Sequence, residues 1–242
     1  VLGAMTAVES AVPGPSHREP DAEPDWETLV PRPVEIARQV IIDDPKITVF
    51  FNFLSDGEVN HLLELAEGRW TRALVGRSYV AKTTDVNTDF VRVESENRTA
   101  NMCMLRSAET PVVRRIEERV SRITGYGVNH VERLNMARYH PGQFFKEHHD
   151  GDYRPVTVFI YLNNLEDGDD GGETLFPQIG KAIKPIKGMA IMWNNLLENG
   201  EEDNRVRHEA TAPVKSIKYG VNCFVNRTGL QPGFAWGGPQ DG

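Results

Sequence analysis

Residues 144–164, FFKEHHDGDYRPVTVFIYLNN, place two histidines and an aspartate directly before a run of strand-forming residues. The run is rich in β-branched and aromatic side chains, which is typical of a β-strand. At least seven such runs, separated by turn residues and without an intervening helix, follow residue 131: VERLNMARYH, TVFIYLNN, GETLF, AIKPIK, GMAIMWNN, VRHEATAPV and SIKYGVNCFVN. This pattern predicts that the second half of the chain is built from β-strands.

Two segments with helical periodicity precede these strands. Residues 54–68 have Ser55 as a predicted N-cap, and residues 109–125 have Pro111 in the first turn and Gly125 after the last. Alternating charges along the second segment predict a solvated helix face. Two helices followed by a β-rich half predict an α+β, mainly β fold. We expect a double-stranded β-helix, or jelly roll, with N-terminal supporting helices packed on one face.

The chain divides into three parts by composition. Residues 1–39 combine proline with acidic residues and predict a disordered or loosely ordered tail. Residues 40–227 predict one folded domain, and residues 228–242 are rich in glycine and proline and predict an irregular C-terminal tail. Within the domain, residues 76–97 are polar and weakly patterned. Long segments of this kind are often functional loops, so this one is a candidate lid.

Charge and composition exclude several classes of function. A formal net charge of −8 and a pI near 5.4 provide no broad basic surface, so we expect no nucleic-acid partner. No apolar run reaches the roughly 18 residues of a membrane span, and the first residues lack the basic flank of a secretion signal. These features predict a soluble, cytoplasmic protein without a membrane partner. Cys103 and Cys223 lie in apolar segments and are expected to be buried free thiols.

The histidines and the aspartate of the opening stretch suggest a metal site. Side chains alternate along a strand, so His148 and Asp150 share one face while His149 points the other way. A further imidazole would complete the 2-His-1-carboxylate triad typical of non-haem Fe(II) sites. The candidate is His208 in VRHEATAPV, because a jelly roll can bring this late strand beside the early one. The remaining histidines lie in the tail, on the first helix or near turns.

A histidine and an aspartate at this spacing are by themselves a weak indication, and a lysine strengthens it. Lys218 lies in an otherwise apolar strand, where an ammonium group is costly unless it meets an anion. A dicarboxylate that chelates iron with its oxo-acid end would need such a cation for its far carboxylate. Lys215 is the competing candidate, although its place near a turn predicts a solvated side chain.

Eight segments occur in a fixed order along the chain: FLSDGEVNHLLELAE, ENRTANMCML, RYHPGQFFKEHHD, RPVTVFIYLNN, GGETLFP, IKPIKGMAIMW, NGEEDNRVRHEATAPV and IKYGVNCFV. Through them, from about residue 47 to residue 225, the sequence resembles the Fe(II)/2-oxoglutarate dioxygenases of the prolyl 4-hydroxylase type. The resemblance implies that residues 40–227 form the catalytic domain. The implied iron ligands are His148, Asp150 and His208.

The same resemblance assigns further residues to the cosubstrate and the substrate. Lys218 is expected to bind the distal carboxylate of 2-oxoglutarate, and the hydroxyl groups of Tyr139 and Tyr161 are expected around it, with Thr157 lining the same pocket. Arg154 is a candidate for the substrate groove or a solvated residue at the start of a strand. Trp193 is expected in the core or framing the pocket on the substrate side.

The function implied by the resemblance is hydroxylation of prolyl residues at C4 in a protein or peptide, as in procollagen-proline 4-dioxygenase. Succinate and CO2 would be released. The implied cofactors and cosubstrates are Fe(II), 2-oxoglutarate, O2 and ascorbate, and the implied partner is a proline-containing protein or peptide. Two alternatives remain open. One is a related oxygenase that acts on a free amino acid or another side chain, and the other is a non-catalytic jelly-roll binding module.

Overall fold

A computed structural model describes residues 24–78, 90–94, 96–166 and 171–230. In chain order its helices and strands are α1 (Trp26–Leu29), β1 (Ala37–Ile42), β2 (Ile47–Phe51), α2 (Asp56–Ala66), β3 (Thr71–Arg72), β4 (Leu74–Ser78), β5 (Phe90–Glu94), β6 (Asn101–Met104), α3 (Pro111–Thr124), β7 (Asn135–Tyr139), β8 (Phe145–His148), β9 (Val156–Tyr161), β10 (Thr174–Phe176), β11 (Lys181–Ile183), β12 (Ala190–Asn194), β13 (His208–Ala210) and β14 (Lys218–Val225).

The strands form two main antiparallel sheets. The larger sheet has the order β1-β2-β12-β9-β14-β7-β6-β3, and the smaller has the order β11-β10-β13-β8. Most strands that lie side by side in a sheet are therefore not consecutive in the sequence. This is expected when a chain passes back and forth between two sheets. The predicted jelly-roll fold with supporting helices is confirmed.

The central strand β9 shows how the sequence separates two cores. Val158 and Ile160 pack with residues of α2 and α3, whereas Phe159 and Tyr161 face the smaller sheet and pack with Phe176. Because alternate side chains of a strand point to opposite faces, one strand contributes to both cores. The functional site lies on the face that points towards the smaller sheet.

Both predicted helices are confirmed, and their ends follow local rules. Ser55 accepts a hydrogen bond from the Glu58 backbone N–H, and the Glu58 side chain accepts one from the Ser55 backbone, which completes a capping box. The helix α3 begins at Pro111 and ends before Gly125, whose φ of 79° is the left-handed conformation that glycine adopts readily.

The prediction of a solvated charged face on α3 holds for Arg114 and Glu118, which form an exposed ion pair, but not for three other charges of the helix. Arg115, Glu117 and Arg119 are all buried. Glu58 on α2 accepts hydrogen bonds from Arg115 Nε at 2.9 Å and from Arg119 Nη1 at 2.9 Å, and Arg119 also donates to the Phe53 carbonyl at 2.8 Å. Arg115 and Arg119 therefore bind Glu58 across the interface between the helices, whereas the Glu117 carboxylate accepts hydrogen bonds from the Ser107 hydroxyl and the Ala108 backbone N–H.

The described part of the N-terminal segment is packed against the domain. Val30 is buried, its carbonyl oxygen accepts a hydrogen bond from Arg115, and β1 pairs with β2 from Ala37 onwards. The predicted boundary between residues 39 and 40 thus falls inside a strand. Residues 1–23 and 231–242 lie outside the described residues, so the assignment of terminal tails stays a prediction there.

The candidate lid, residues 76–97, is described only in part. Its residues 76–78 and 90–94 belong to β4 and β5, which pair with each other as an antiparallel two-stranded sheet. Residues 79–89 and residue 95 lie outside the described residues. The strands are regular structure that the weak sequence pattern did not predict.

Two expectations from composition can be compared with the structure. Cys103 and Cys223 are both buried free thiols, as predicted. Among the described residues, no helix has the length and apolar character that crossing a bilayer requires.

Candidate metal centre

The pairing of β8 with β13 brings the two predicted histidine ligands together. His208 is the Cα partner of His148 in this antiparallel pair. The opposite edge of β8 is also held, because Lys146 N–H donates to the Asn97 carbonyl at 2.9 Å and Thr99 N–H donates to the Phe144 carbonyl at 3.0 Å. The strand that carries His148 is therefore fixed on both sides.

The third predicted ligand lies just beyond β8. Asp150 Oδ1 is 3.7 Å from His148 Nε2, and Asp150 Oδ2 is 3.7 Å from His208 Nε2. One ligand atom from each side chain lies within 4.8 Å of the others, and within the described part of the chain no other group of three such side chains meets this condition. Because β8 ends at His148, a turn after the strand rather than the strand itself positions the aspartate.

Backbone hydrogen bonds orient both imidazole rings for metal binding. His148 Nδ1 lies 2.8 Å from the Lys146 carbonyl oxygen, and His208 Nδ1 lies 3.1 Å from the Val206 carbonyl oxygen. A carbonyl oxygen only accepts, so each Nδ1 carries the proton and each Nε2 presents a lone pair towards Asp150. Burial lowers the pKa of both histidines, which favours the neutral form that a metal ligand requires.

Asp150 is held in its ionised form by its neighbours. Burial acts to raise its pKa, but the positive charges of His208 and His148 in their protonated forms, the charge of Arg154 and a hydrogen bond from Thr157 together lower it below its ordinary value. The Thr157 hydroxyl donates to Asp150 Oδ2 at 2.7 Å. Thr157 was expected in the cosubstrate pocket, whereas its hydroxyl contacts this carboxylate. Two neutral imidazoles and one carboxylate are a donor set that fits Fe(II).

His149 points away from this cluster, as the alternation of side chains predicted. Its Nδ1 accepts from the Gly151 backbone N–H at 3.1 Å, so its Nε2 carries the proton and donates to the Asn195 carbonyl at 3.0 Å. Its side chain is only 4% exposed. His149 is thus an internal residue that supports the neighbouring loops.

Lys218 is fully buried. The side chain has no exposed surface, and Nζ has no hydrogen-bond partner among the described residues. Burial lowers its pKa from 10.5 to about 7, against a smaller opposing effect of Glu173. An unpaired buried ammonium group is costly, and an anionic ligand would remove this cost. Lys215, the competing candidate, is exposed.

Aromatic rings surround the Lys218 ammonium group. Nζ lies 5.4 Å from the ring centroids of Tyr139 and Phe159 and 5.7 Å from that of Tyr161. Tyr139 is the strand partner of Lys218 on β7. The Tyr161 hydroxyl donates to Thr174 Oγ1 at 2.8 Å. The structure therefore brings both predicted tyrosines to Lys218, with the Tyr161 hydroxyl donating to the smaller sheet.

Arg154 is engaged by neighbouring side chains. Its Nε and Nη2 donate to the two carboxylate oxygens of Glu132 at 2.9 and 2.7 Å, and its guanidinium lies 3.7 Å from the centroid of the Phe224 ring. Such a bidentate pair fixes the orientation of an arginine. Its role in a substrate groove stays a prediction, while the alternative of a solvated residue does not match these contacts.

Trp193 belongs to the core. It is 1% exposed, and its ring packs edge-on against His208 at 4.7 Å and against Phe176 at 5.4 Å between centroids. Of the two predicted positions, core and pocket frame on the substrate side, the structure favours the core. The indole shields the buried side of the His208 ring.

Three residues around the candidate metal centre were not predicted from the sequence. The ring of Phe145 stacks on His148 with centroids 3.5 Å apart, and the Arg98 guanidinium lies over the Phe145 ring, 4.4 Å from its centroid. Asn195 donates to Thr157 at 2.9 Å. Phe145 lies inside the opening stretch and could have been suspected there. Arg98 and Asn195 come from distant segments, and no local pattern marks them.

Comparison with known proteins identifies the domain that carries this site. Residues 134–226 match the family model of the 2OG-Fe(II) oxygenase superfamily. They form a 2OG-Fe(II) oxygenase domain. The matched range includes the His-Asp-His cluster and Lys218. The family match and the cluster together support Fe(II) as the cofactor and 2-oxoglutarate as the cosubstrate.

The chain is similar to proteins of the prolyl 4-hydroxylase type. It is 32% identical over 196 residues to prolyl 4-hydroxylase subunit alpha-2 of Gallus gallus, covering 77% of this chain and 35% of that one. The chain thus spans about a third of the length of this curated relative. These matches confirm the resemblance that the sequence motifs indicated.

Solved structures share the fold of this chain. The viral collagen prolyl hydroxylase of Paramecium Bursaria Chlorella virus-1, solved with 2OG, superimposes with a TM-score of 0.58 at 21% identity, covering 75% of this chain and 96% of that one. A prolyl hydroxylase of Trichoplax adhaerens, in complex with a hypoxia inducible factor peptide fragment, gives 0.52 at 20% identity over 74% and 83% of the two chains. At this level of identity the likeness establishes a common fold.

Proposed function

We propose that the protein is a 2-oxoglutarate-dependent dioxygenase that hydroxylates prolyl residues at C4 in a protein or peptide, with release of succinate and CO2. The observation that carries the proposal is the presence of both the His-Asp-His cluster and a buried Lys218 whose Nζ has no hydrogen-bond partner among the described residues. A metal site alone would not require the lysine. A cosubstrate with an oxo-acid end and a distal carboxylate requires both.

The chain's residues have separate roles in this reaction. His148, Asp150 and His208 would hold Fe(II) through two Nε2 atoms and one carboxylate, with their orientations fixed by the backbone carbonyls and Thr157. When bound, Fe(II) and 2-oxoglutarate supply the oxidising chemistry that transfers one atom of O2 to the substrate carbon and the other to succinate.

Lys218 would bind the distal carboxylate of 2-oxoglutarate. Before binding, its depressed pKa allows the amine to be neutral near pH 7. A carboxylate beside it would stabilise the charged form and raise that pKa. The aromatic rings of Tyr139, Phe159 and Tyr161 keep bulk water away, which strengthens the charge-assisted contact.

Packing around the two histidines would protect the reacting site from water. Phe145 covers one face of His148, and Trp193 and Phe176 lie against His208. A dry environment limits side reactions of a strong oxidant. The strands β4 and β5 form part of the candidate lid, residues 76–97, which would close over an extended substrate.

We propose a proline-containing protein or peptide as the partner, with Arg154 at the groove. The Trichoplax adhaerens relative in complex with a peptide fragment supports a peptide substrate. Ascorbate is proposed as the reductant that keeps iron in the Fe(II) state, O2 as the second cosubstrate, and the cytoplasm as the location. The absence of a nucleic-acid or membrane partner stays a prediction from composition.

Mass spectrometry of proline-containing peptides tests this function. The peptides are incubated with Fe(II), 2-oxoglutarate and ascorbate, and the products are hydrolysed and compared with authentic 3- and 4-hydroxyproline. A mass gain of one oxygen atom, located at C4 of proline and absent with His208→Ala, is the expected result. Oxidation of a free amino acid instead would favour the related oxygenase. A protein that binds peptide but consumes no 2-oxoglutarate would favour the non-catalytic module.

A further inference from the structure

A directional chain of hydrogen bonds leads from Asn195 to the candidate metal centre. Asn195 Nδ2 donates to Thr157 Oγ1 at 2.9 Å, and Thr157 Oγ1 donates to Asp150 Oδ2 at 2.7 Å. Asn195 and Thr157 have no exposed surface. An ionised carboxylate only accepts, so the single hydroxyl hydrogen of Thr157 is directed to Asp150, and its lone pair receives the amide hydrogen.

Asn195 is itself fixed through its amide nitrogen and its backbone, whereas its Oδ1 is buried without a hydrogen-bond partner among the described residues. The other hydrogen on Nδ2 is directed to the Arg154 carbonyl at 2.8 Å. This contact sets the orientation of the amide, because a flipped amide would place Oδ1 against the carbonyl oxygen. The Asn195 backbone N–H donates to the Pro155 carbonyl oxygen at 2.8 Å. The Asn195 backbone carbonyl accepts from His149 Nε2 at 3.0 Å and from the Asp203 backbone N–H at 2.8 Å. Asn195 therefore provides a rigid donor.

The chain of hydrogen bonds constrains how the Asp150 carboxylate is rotated. Oδ1 faces His148 and Oδ2 faces His208, each at 3.7 Å. Rotation of the carboxylate would break the contact between Oδ2 and Thr157 and would move Oδ1 away from His148 Nε2. The Thr157 hydrogen bond thus holds Asp150 Oδ2 in place and keeps Asp150 Oδ1 directed at the space between the His148 and His208 rings.

We propose that Asn195 is a positioning residue for the metal centre, which acts through Thr157 to hold the Asp150 carboxylate in its metal-binding orientation. This proposal rests on the part of the proposed function in which the three side chains bind a divalent metal. Asn195 contacts neither metal nor substrate. Its effect on metal affinity is therefore transmitted by the Thr157 hydroxyl and disappears when that hydroxyl is removed.

A purely structural role predicts a different result. If Asn195 only closes the turn between β12 and the following loop, its loss lowers the stability of the protein and leaves the metal affinity of the folded protein unchanged. The two roles are separated by a double-mutant cycle with Thr157, measured as metal affinity.

Isothermal titration with Mn(II), without 2-oxoglutarate or peptide, provides the readout. Thr157→Val keeps the side-chain shape, removes the hydroxyl, and should weaken Mn(II) binding by about tenfold to a hundredfold, as for other residues that orient metal ligands. Asn195→Ala should weaken it by about twofold to tenfold, the effect of one neutral hydrogen bond. Thr157→Ser should retain most of the affinity. Thr48→Val is the matched control, because Thr48 is equally buried and its hydroxyl has no partner among the described residues.

The double variant decides the proposal. Thr157→Val with Asn195→Ala should bind Mn(II) no more weakly than Thr157→Val alone. Wild-type affinity in Asn195→Ala, or additive losses in the double variant, would overturn the proposal. If Asn195→Ala does not fold, Asn195→Ser, whose side chain is too short to reach Thr157, replaces it with the same expectation. Mn(II) binding requires no turnover, so a wild-type protein that binds Mn(II) but hydroxylates no peptide contradicts the proposed function and leaves this test valid.

Discussion

Binding of 2-oxoglutarate should be accompanied by proton uptake at Lys218, and Lys218→Met should abolish that uptake. The ammonium group is fully buried, it has no hydrogen-bond partner among the described residues, and burial lowers its pKa to about 7. A bound carboxylate should return the pKa towards its ordinary range, because an adjacent opposite charge favours the protonated form. The lysine of the complex is then charged at every pH near neutrality.

The magnitude follows from the pKa. With a value of about 7, roughly nine-tenths of the lysines carry the proton at pH 6 and roughly one-tenth at pH 8 in the protein without cosubstrate. Uptake per bound 2-oxoglutarate should therefore rise from about 0.1 proton at pH 6 to about 0.9 at pH 8. Lys218→Met also loses a charge-assisted contact of about 1.5 to 3 kcal/mol, which weakens 2-oxoglutarate binding by roughly tenfold to a hundredfold.

The assay is calorimetric titration of 2-oxoglutarate into the Mn(II)-loaded protein without O2. Buffers of different protonation enthalpy give the number of protons taken up at each pH. Lys215→Met is the control, because this lysine is exposed and should affect neither affinity nor uptake. Lys218→Arg should restore affinity only in part, since a planar guanidinium does not match a site shaped for an ammonium. Uptake that does not change with pH, or a loss with Lys215→Met alone, would refute the assignment of Lys218.

Three further predictions concern the ligand set and stability. His208→Ala should remove nearly all metal-dependent turnover, whereas His149→Ala should retain much of it; the reverse order would show that the ligands are misassigned. Without cosubstrate, Lys218→Met should raise the free energy of unfolding by on the order of 3 to 5 kcal/mol at pH 6. The lysine has a pKa near 10.5 in the unfolded chain, so the unfolded state binds more protons than the folded state between about pH 7 and 10.5. The cost of burying the charge is therefore full below pH 7, and the stability gained by Lys218→Met should shrink as the pH rises through that window. Urea unfolding at several pH values measures this gain. Glu58→Gln should lower the free energy of unfolding by about 3 to 5 kcal/mol because two buried arginines lose their counter-charge, while Glu118→Gln, in an exposed pair, should cost less than about 1 kcal/mol.

The parts of the fold that were predictable depend on local rules. The caps at Ser55 and Gly125 and the side-chain alternation of β9 are decided by residues close together in the sequence. Within the site, the spacing of His148 and Asp150 and the isolated lysine in an apolar strand were visible for the same reason. His208 required the further assumption that a jelly roll brings two distant strands together, and the pairing of β8 with β13 supplies it.

The features that the sequence did not reveal depend on distant contacts. Arg115 and Arg119 of α3 appeared solvated because their partner, Glu58, lies on another helix. The contact of Asn195 with Thr157 arises only when β9 and β12 pair, and the contact of Thr157 with Asp150 only when the turn after β8 folds against β9. A single sequence contains no periodicity that links such residues, so their contacts appear only in the folded chain.

Incubation with labelled oxygen gas tests the central claim most directly. The protein, Fe(II), 2-oxoglutarate and a proline-containing peptide are supplied with 18O2 in ordinary water, and both products are analysed by mass spectrometry. A dioxygenase of the proposed kind should place one heavy oxygen atom in the C4 hydroxyl of the peptide and one in succinate, with equal amounts of the two products. Hydroxyproline that carries oxygen from water alone, or succinate formed without any peptide oxidation at saturating peptide, would contradict the account.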